Sequence, residues 1–388
     1  MSCCKFDFDE IIPRRGTNSY KWDTPDGDDI LPLWVADMDF RTAPPVVEAL
    51  KRRVDHGIFG YTKVPDEYYR AVCGWFSRRH GLDIDPRTII YTTGVVPALS
   101  AIIKAMTRPG DRVAVMTPAY NCFYSSIRNN GCELADCRLR CDGGRYTIDF
   151  ELLERIASDE RTSVLLLCNP HNPAGRVWSR EELLRTGEIC LRHGVFVISD
   201  EIHCELTYEG HDYTPYASLG SRFSLRSATC ISPSKAFNIA GLQIANIVAA
   251  DEQVRSRIDR AINDNEVCDV NPFGVEALIA AYNEGGEWLD ELRRYLWGNW
   301  IMLSDFFARE LPQYTLSPLE GTYLAWVDCS ASGMDSETLA ARLLSRARVM
   351  VSPGAIYGPG GDRHIRINMA CPRPRLAEGL QRMLEVLR

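Results

Sequence analysis

The sequence predicts an α/β fold whose larger part is a mostly parallel sheet of seven strands flanked by helices. Between about residues 87 and 250, short apolar runs alternate with helical stretches, which favours parallel strands joined by helices. The runs are nearly continuous in apolar character, as is typical of strands buried on both faces. The predicted strands are Thr88–Thr92, Arg112–Met116, Glu133–Arg138, Ser163–Cys168, Val195–Ser199, Ser227–Ile231 and Ile244–Ala249.

Helices are predicted between these strands at Pro97–Thr107, Phe150–Ala157 and Ser179–His193. The third begins with Ser179 and has Glu182 three residues later. This spacing is a capping box, in which each side chain binds the other residue's backbone N–H.

After Asp251 the pattern changes and predicts a smaller α+β unit. Its predicted elements are a helical stretch Val275–Glu310 broken at Gly285-Gly286, a strand Thr322–Val327, a helix Ser336–Ala347, strands Val349–Ser352 and His364–Asn368, and a helix Arg375–Leu387. Gly358-Pro-Gly-Gly361 lacks the strand and helix context of a phosphate-binding loop and is predicted to be a hairpin loop. We expect an N-terminal segment 1–45 that packs on the small unit or a partner subunit, a large domain 46–285 and a small domain 286–388.

Composition narrows the function classes. The 388 residues are 45% hydrophobic and 25% charged, which is ordinary for a globular protein. The net charge of −8 and the lack of a basic patch disfavour nucleic-acid and anionic-membrane partners. The first residues lack the apolar core of a signal peptide, and the apolar runs are too short to span a bilayer. We therefore expect a soluble, cytoplasmic protein.

Fourteen cysteines are many for such a chain. Cys132, Cys137 and Cys141 form a loose cluster that allows a zinc site, but their spacing matches no tight zinc motif and no histidine lies nearby. Because the chain is long and lacks an export signal, free thiols in a reducing cytoplasm are expected and no metal is predicted.

The most informative segment is Ser232-Pro-Ser-Lys235, which follows a predicted strand and leads into a glycine-bearing loop. A lysine held at a strand end can form an imine with a carbonyl cofactor. A single lysine is ordinarily a solvated surface residue. Its position among small hydroxylated residues after an apolar strand favours the catalytic interpretation.

Further polar residues follow neighbouring strands. Asp200 lies at the carboxyl end of a strand, where parallel sheets bind ligands, although Asp is also common there as a helix N-cap. A carboxylate at that position would keep a cofactor's ring nitrogen protonated. Asn172, within Asn169-Pro-His-Asn-Pro, is a candidate donor to the ring oxygen or a turn residue, and His203 is a candidate neighbour of the same oxygen or a structural histidine.

Three other candidates complete the requirements of such a site. The backbone N–H groups of Val95 and Val96, at the start of a predicted helix, suit a phosphate, but the segment also fits a plain strand–helix turn. Tyr120 is a candidate to stack on a cofactor ring or a core aromatic. Arg366, on an alternating strand, suits a bidentate bond to a substrate carboxylate or is a surface arginine.

Taken together, the motifs identify a family resemblance. The chain resembles the fold-type I pyridoxal phosphate (PLP) enzymes of the aspartate aminotransferase superfamily, and within them the MalY/PatB-type cystathionine β-lyases, or C–S lyases. The resemblance covers nearly the whole chain. It rests on Arg14–Trp22, Leu33–Phe40, Gly57–Tyr61, Cys168–Trp178, Ser199–His203 and Ser232–Lys235.

The resemblance implies PLP as cofactor, a PLP fold type I architecture and a role for each candidate. It implies Lys235 as the Schiff-base lysine, Asp200 at the ring nitrogen, Asn172 near the ring oxygen, Tyr120 stacked on the ring, Ser232 on the phosphate and Arg366 on the substrate carboxylate. Tyr61 would reach the phosphate in the neighbouring subunit, which requires a homodimer. Ala36 and Asp37 are expected to line the substrate pocket.

Two positions depart from the wider superfamily. Gln243 stands where many aminotransferases place a phosphate-binding arginine, and His203 stands where many relatives carry a tyrosine. We therefore expect β-elimination from cystathionine or a cysteine S-conjugate, giving a thiol, pyruvate and ammonia. A PLP-dependent aminotransferase and a PLP-binding regulator that acts through protein contacts are the alternatives.

Overall fold

The structure, a computed structural model, describes residues 5–264, 266 and 268–388. The strands are β1 Leu31–Pro32, β2 Ile89–Thr92, β3 Arg112–Val115, β4 Glu133–Asp136, β5 Arg140–Asp142, β6 Arg145–Thr147, β7 Thr162–Cys168, β8 Phe196–Asp200, β9 Ser227–Ile231, β10 Ala245–Val248, β11 Thr315–Leu316, β12 Leu324–Asp328, β13 Val349–Met350, β14 Ser352–Pro353 and β15 His364–Asn368. The helices are α1 Tyr20–Asp23, α2 Pro44–His56, α3 Asp66–His80, α4 Val95–Met106, α5 Asn121–Asn129, α6 Phe150–Ala157, α7 Arg180–Arg192, α8 Ser221–Ser224, α9 Glu252–Asn263, α10 Pro272–Glu284, α11 Gly286–Glu310, α12 Ser336–Arg342 and α13 Arg373–Leu387.

The large sheet has seven strands in the order β2-β10-β9-β8-β7-β3-β4. β10 is antiparallel to both of its neighbours, and the other pairs are parallel. The predicted α/β class with a mostly parallel seven-stranded sheet is confirmed, and each predicted strand is present within two residues of its expected ends. The predicted capping box of Ser179 and Glu182 is also present at the start of α7.

Two apolar layers cover the faces of this sheet. Successive residues of a strand point to opposite faces, so Leu166 packs in the layer of α4 and α5 while Leu165 and Leu167 pack in the layer of α6 and α7. Burial on both faces explains why these strands are continuously apolar in the sequence.

A smaller antiparallel sheet, in the order β11-β12-β15-β14, forms the C-terminal unit. The predicted hairpin loop is confirmed, because Gly358–Gly361 lies between the antiparallel strands β14 and β15. The prediction of one strand over Val349–Ser352 is wrong. The run divides at Val351, since β13 pairs in parallel with β1 of the N-terminal segment while β14 pairs with β15. The proposed domain limits at residues 45 and 285 stay a prediction.

Buried charged side chains connect separate parts of the N-terminal segment to one another and connect the segment to the rest of the protein. Lys21 is fully buried, and its Nζ lies 3.2 Å from Asp39 Oδ2. Asp39 Oδ1 accepts hydrogen bonds from Arg14 at 2.7 Å and from the Trp22 indole at 2.8 Å. Burial alone would raise the pKa of Asp39, but Lys21, Trp22 and Arg14 hold it below its ordinary value. The carboxylate is therefore ionised and acts as the centre of the network.

We expect Asp39→Asn to lower the free energy of unfolding by about 3 kcal/mol at pH 7, because it leaves the buried Lys21 ammonium short of its counter-charge. Denaturant unfolding of both proteins measures the difference. The difference in the free energy of unfolding between the two proteins should become smaller only below about pH 4, where the carboxyl of the unfolded wild type takes up its proton. Glu10→Gln is the control, because the Glu10–Arg41 pair is exposed and its loss should leave stability unchanged. Equal effects of the two substitutions would contradict the role of burial.

Candidate active site

A cavity of about 200 Å³ opens at the edge of the large sheet where the parallel strands end. Ligand crevices of α/β sheets lie at this edge. Its lining combines the ends of β2, β7 and β8 with the first turn of α4 and the segment after β9. The lining residues are Ala36, Thr93, Gly94, Val95, Val96, Pro97, Tyr120, Cys168, Asn172, Asp200, Ile202, His203, Ser234, Lys235, Ala240, Gln243 and Ile244.

Lys235 contributes an amine to this cavity. Burial, together with the charge of Arg366, lowers the pKa of Lys235 to about 8, although Asp37 and Asp200 oppose the change. Its Nζ donates a hydrogen bond to the Ala36 carbonyl at 2.8 Å. A substantial fraction of this amine is therefore neutral just above physiological pH, as a nucleophile or a base requires.

Asp200 is the last residue of β8 and is buried in the same cavity. Burial raises the pKa of its carboxyl to about 7, against the effects of the Ile202 N–H and of Lys235. The Ile202 N–H donates to Asp200 Oδ1 at 3.2 Å. The site thus holds a carboxyl that a cationic group arriving nearby would convert to a carboxylate.

His203 is buried beside these groups. Burial first, and then the charges of Lys235 and Arg366, lowers the pKa of His203, so the imidazole is neutral. Its Nδ1 has no hydrogen-bond partner among the described residues. Because buried polar atoms are ordinarily satisfied, this nitrogen marks a position at which a ligand atom fits.

Arg366 comes from the small sheet and meets Asn172 at the cavity. Its Nη1 donates to Asn172 Oδ1 at 3.2 Å, and its Nη2 donates to the Trp34 carbonyl at 2.8 Å. Its Nε is buried and has no partner within the part of the chain that the structure describes. The guanidinium also lies over the Tyr357 ring, 4.9 Å from the centroid. These contacts fix its orientation and leave a donor for an anion.

The other end of the cavity carries neutral donors. Val95 and Val96 begin α4, and N–H groups in the first turn of a helix lack intrahelical acceptors. Ser234 and Gln243 line the same cavity. Ser232, predicted at a phosphate, donates to the Ile244 carbonyl at 2.6 Å and accepts from the Ser234 N–H at 3.0 Å. Its contact with a phosphate stays a prediction.

The remaining predicted residues differ in their surroundings. Tyr120 lines the cavity, its ring edge to face with Phe123 at 5.9 Å, and burial raises the pKa of its phenol. The Asp37 carboxylate is bound by Arg14 at 2.8 Å and lies 3.5 Å from Lys21. Tyr61 is 98% exposed and does not line this cavity. Roles for Asp37 and Tyr61 at the site stay predictions.

Two residues near the site had not been predicted. Asn238 accepts from the Met38 N–H at 2.9 Å and donates to the carbonyls of Met38 and Phe40 at 3.0 and 2.8 Å. It joins the lysine segment to the N-terminal segment, and its positive φ of 54° is a conformation that Asn tolerates better than most residues. Tyr323 donates its hydroxyl hydrogen to the Ala36 carbonyl at 2.9 Å. Asn238 lies three residues after Lys235, and this proximity could have indicated that it belongs to the site. No motif near Tyr323 in the sequence indicates the site.

Cys132, Cys137 and Cys141 of the loose cluster do not belong to a group of close metal-ligand atoms among the described residues. A compact His/Cys/Glu group does occur at His80, Cys204 and Glu205, with ligand atoms within 4.8 Å of one another. Glu205 Oε1 lies 2.7 Å from His80 Nε2, and Glu205 Oε2 lies 3.8 Å from Arg79 Nε. The charge of Arg79 and the contact with His80 already engage this carboxylate.

Comparisons with known proteins agree with this arrangement. Residues 28–383 match the family model of aminotransferase class I and II. The chain is 45% identical to the cystathionine β-lyase PatB of Bacillus subtilis, covering 98% of this chain and 99% of PatB, and 33% identical to MalY of Escherichia coli, covering 99% of each. The crystal structure of a PLP-bound C–S lyase from Staphylococcus hominis superposes with a TM-score of 0.93 at 34% identity, covering 99% of each chain.

The chain belongs to the aminotransferase class I and II family. The resemblance to MalY and PatB that the sequence motifs indicate is confirmed, and with it the PLP fold type I architecture. No helix in the described ranges is long and apolar enough to cross a membrane.

The buried carboxyl of Asp200 gives a pH-dependent prediction for the ligand-free protein. Its folded pKa of about 7 lies above the ordinary Asp value of about 3.9, so the wild type loses stability as pH rises between these values and reaches a plateau above them. Asp200→Asn removes this loss. We expect the variant to gain stability relative to wild type by about 4 kcal/mol between pH 4 and pH 8. Denaturant unfolding of both proteins at successive pH values measures this gain. A difference in the free energy of unfolding that does not change with pH would contradict the burial of this carboxyl.

Proposed function

We propose that this protein is a PLP-dependent C–S lyase that catalyses β-elimination from sulfur amino acids. Cystathionine or a cysteine S-conjugate would take up water and give a thiol, pyruvate and ammonia. The similarity to PatB, a cystathionine β-lyase, and to the C–S lyase of Staphylococcus hominis supports this activity. The observation that carries the proposal is the enclosure of the Lys235 amine and the Asp200 carboxyl in one cavity, with Arg366 bound to Asn172 in the cavity wall.

The residues present fit PLP. The neutral donors at the start of α4, with Ser234 and Gln243, suit its phosphate. The unpartnered Nδ1 of His203 and the amide of Asn172 suit its ring oxygen. Asp200 suits the ring nitrogen, because a carboxyl with a pKa of about 7 becomes ionised when a cationic N–H lies beside it.

When bound, PLP condenses with amines and withdraws electrons from the substrate Cα. Lys235 is the group that moves the Cα proton, and its lowered pKa makes the neutral, proton-accepting amine available near pH 8. Asp200 would hold a proton at the ring nitrogen. Tyr120, which lines the same cavity as Lys235, would pack against the ring.

Arg366 binds the α-carboxylate of the substrate in this proposal. Its Nη atoms are anchored by Asn172 and Trp34, whereas its buried Nε has no partner among the described residues. A guanidinium held in this way orients a carboxylate through charge-assisted hydrogen bonds.

We expect Lys235→Ala to lower lyase activity by at least about a thousandfold, because the general base is lost, and to abolish the yellow absorbance of the PLP-bound protein. The assay measures pyruvate released from cystathionine without an added keto acid. Lys51→Ala is the matched control, since Lys51 is exposed and pairs with the equally exposed Glu48. Full activity in Lys235→Ala would refute the assignment. Amino transfer that depends on an added keto acid, with no pyruvate formed without it, would favour the aminotransferase alternative.

We further propose a homodimer whose subunits share their active sites. An apolar surface patch, formed by Val54, Ile58, Phe59 and Tyr61, supports this arrangement, since these side chains are 55%, 67%, 52% and 98% exposed. Contiguous exposed apolar side chains of this size commonly mark protein interfaces. The Tyr61 hydroxyl would reach the phosphate of the cofactor in the neighbouring subunit.

Hybrid dimers test the sharing of sites. Tyr61→Ala and Lys235→Ala are each expected to impair activity, the first by weakening cofactor binding. Co-expressed, they should form dimers with one intact site, since the Lys235→Ala subunit supplies Tyr61 to the site that retains Lys235. We expect activity per hybrid dimer near half that of wild type. Activity no higher than the Tyr61→Ala protein alone would contradict the exchange of Tyr61.

We also propose that the protein works in the cytoplasm. The cysteines that the structure describes are free thiols, as a reducing compartment favours. The substrate is an amino acid, and no nucleic acid or membrane enters this function.

A further inference from the structure

Three distant parts of the chain meet at one oxygen atom, the carbonyl of Ala36. Lys235, from the large sheet's edge, donates to it at 2.8 Å. Tyr323, which immediately precedes β12 of the small sheet, donates to it at 2.9 Å. A carbonyl oxygen has two lone pairs, so these two donors saturate it.

The position of this carbonyl is fixed on both sides. Asn368 Nδ2 donates to the Val35 carbonyl and, at 2.6 Å, to the Asp37 carbonyl. The Asp37 N–H also donates to the Val35 carbonyl at 2.9 Å, which closes a tight turn around Ala36. The Ala36 carbonyl oxygen is therefore held in a fixed position, and the two donor side chains must orient toward it.

Tyr323 is equally constrained. Its side chain is fully buried, and its ring packs edge to face with His203 at 6.2 Å. Burial, with the nearby charge of Asp37, raises the pKa of its phenol, so the hydroxyl keeps its proton and acts as a donor. One lone pair of the Ala36 oxygen is thus permanently occupied.

We propose that Tyr323 is a positioning residue for the catalytic amine: its hydroxyl occupies one lone pair of the Ala36 carbonyl and leaves a single, directed acceptor for Lys235. The inference deepens the proposed lyase function and rests on it for its catalytic meaning. A carbonyl engaged by a second donor is a weaker acceptor, so it holds the neutral amine in place without strongly stabilising the ammonium. The lone pair of Lys235 is then available to take the substrate proton.

Other charged and titratable groups also act on Lys235. Arg366 faces it from the small sheet, Asp37 from the N-terminal segment, Asp200 from the end of β8, and Cys122 from α5. His203 and Tyr120 line the same cavity. Removing the Tyr323 hydroxyl changes none of these charges. A change in Lys235 titration can therefore be assigned to the shared carbonyl.

Tyr323→Phe tests the proposal in the full-length protein. Without the hydroxyl, the Ala36 oxygen has both lone pairs for Lys235 and stabilises its ammonium. We expect the pKa of Lys235 in the PLP-free protein to rise by about half a unit or more, so that its amine reacts about threefold more slowly at pH 7. The rate at which trinitrobenzenesulfonate labels Lys235 is followed by mass spectrometry at successive pH values. The pH at which this rate is half of its maximum is the Lys235 midpoint, the pH at which the amine is half protonated.

Tyr208→Phe is the matched control. The Tyr208 hydroxyl is also buried and donates to a backbone carbonyl at 2.6 Å, but its acceptor is Thr322, whereas Lys235 and Tyr323 donate to Ala36. We expect the Lys235 midpoint in Tyr208→Phe to equal the Lys235 midpoint in wild type. A shift in Tyr208→Phe as large as in Tyr323→Phe would overturn the proposal, because any lost hydroxyl would then have the same effect.

A second variant works in the opposite direction and keeps the shape of the side chain. Replacing Tyr323 by 3-fluorotyrosine strengthens the hydroxyl as a donor, because fluorine withdraws electron density from the phenol. The Lys235 midpoint should then fall below that of wild type. Unchanged midpoints in both Tyr323 variants would refute the proposal.

The PLP-bound enzyme gives an independent measurement. In Tyr323→Phe, the rise of kcat with pH on the acidic side of its pH profile should occur at higher pH. At the pH values where kcat is constant, KM for cystathionine should change little. A loss of kcat at all pH values without a shift of this rise would indicate a merely structural role and count against the proposal. The labelling experiment needs no turnover, so a protein without lyase activity but with the expected midpoints would refute the proposed function and leave this inference standing.

Discussion

The burial of the Lys235 amine is the constraint on which the rest of the structure depends. An ammonium removed from water is unstable, so the cavity lowers the pKa of Lys235 and supplies it with one fixed acceptor, the Ala36 carbonyl. Burial has the opposite effect on Asp200, whose pKa it raises. The same desolvation therefore brings a base and an acid toward neutral pH, which is the range in which both can exchange protons.

Fixing that acceptor requires the N-terminal segment to be as rigid as the sheet. The segment has little regular structure of its own, and two kinds of contact replace it. Its backbone is bound by the amides of Asn238 and Asn368, one from each part of the protein. The buried charges of Lys21 and Asp39 hold the flanking residues together. The active site is accordingly built from irregular chain that is held from several sides.

The large sheet could be predicted from the sequence because strands buried on both faces are continuously apolar, a local signal. The meeting of Lys235, Asp200 and Asn172 at one cavity could be predicted because each comes after such a strand, and parallel strands end at a common edge. The division of the run at Val351 could not be predicted, since β1, which pairs with β13, lies far away in the sequence. Tyr323 was missed for the same reason, because its partner Ala36 is 287 residues away. Local patterns identify strands and strand-end residues, whereas contacts between distant backbone segments leave no local trace.

The pairing of the first part of the chain with the last part has a consequence for biosynthesis. Arg366 donates to the carbonyl of Trp34 across 332 residues, and ribosomes add about 5–20 residues per second. The segment around Trp34 thus waits on the order of 15–70 s after it is made before its partner exists. Leu31 and Leu33, which lie against Gly379 of α13 in the folded protein, stay without this apolar cover until the last helix has been made.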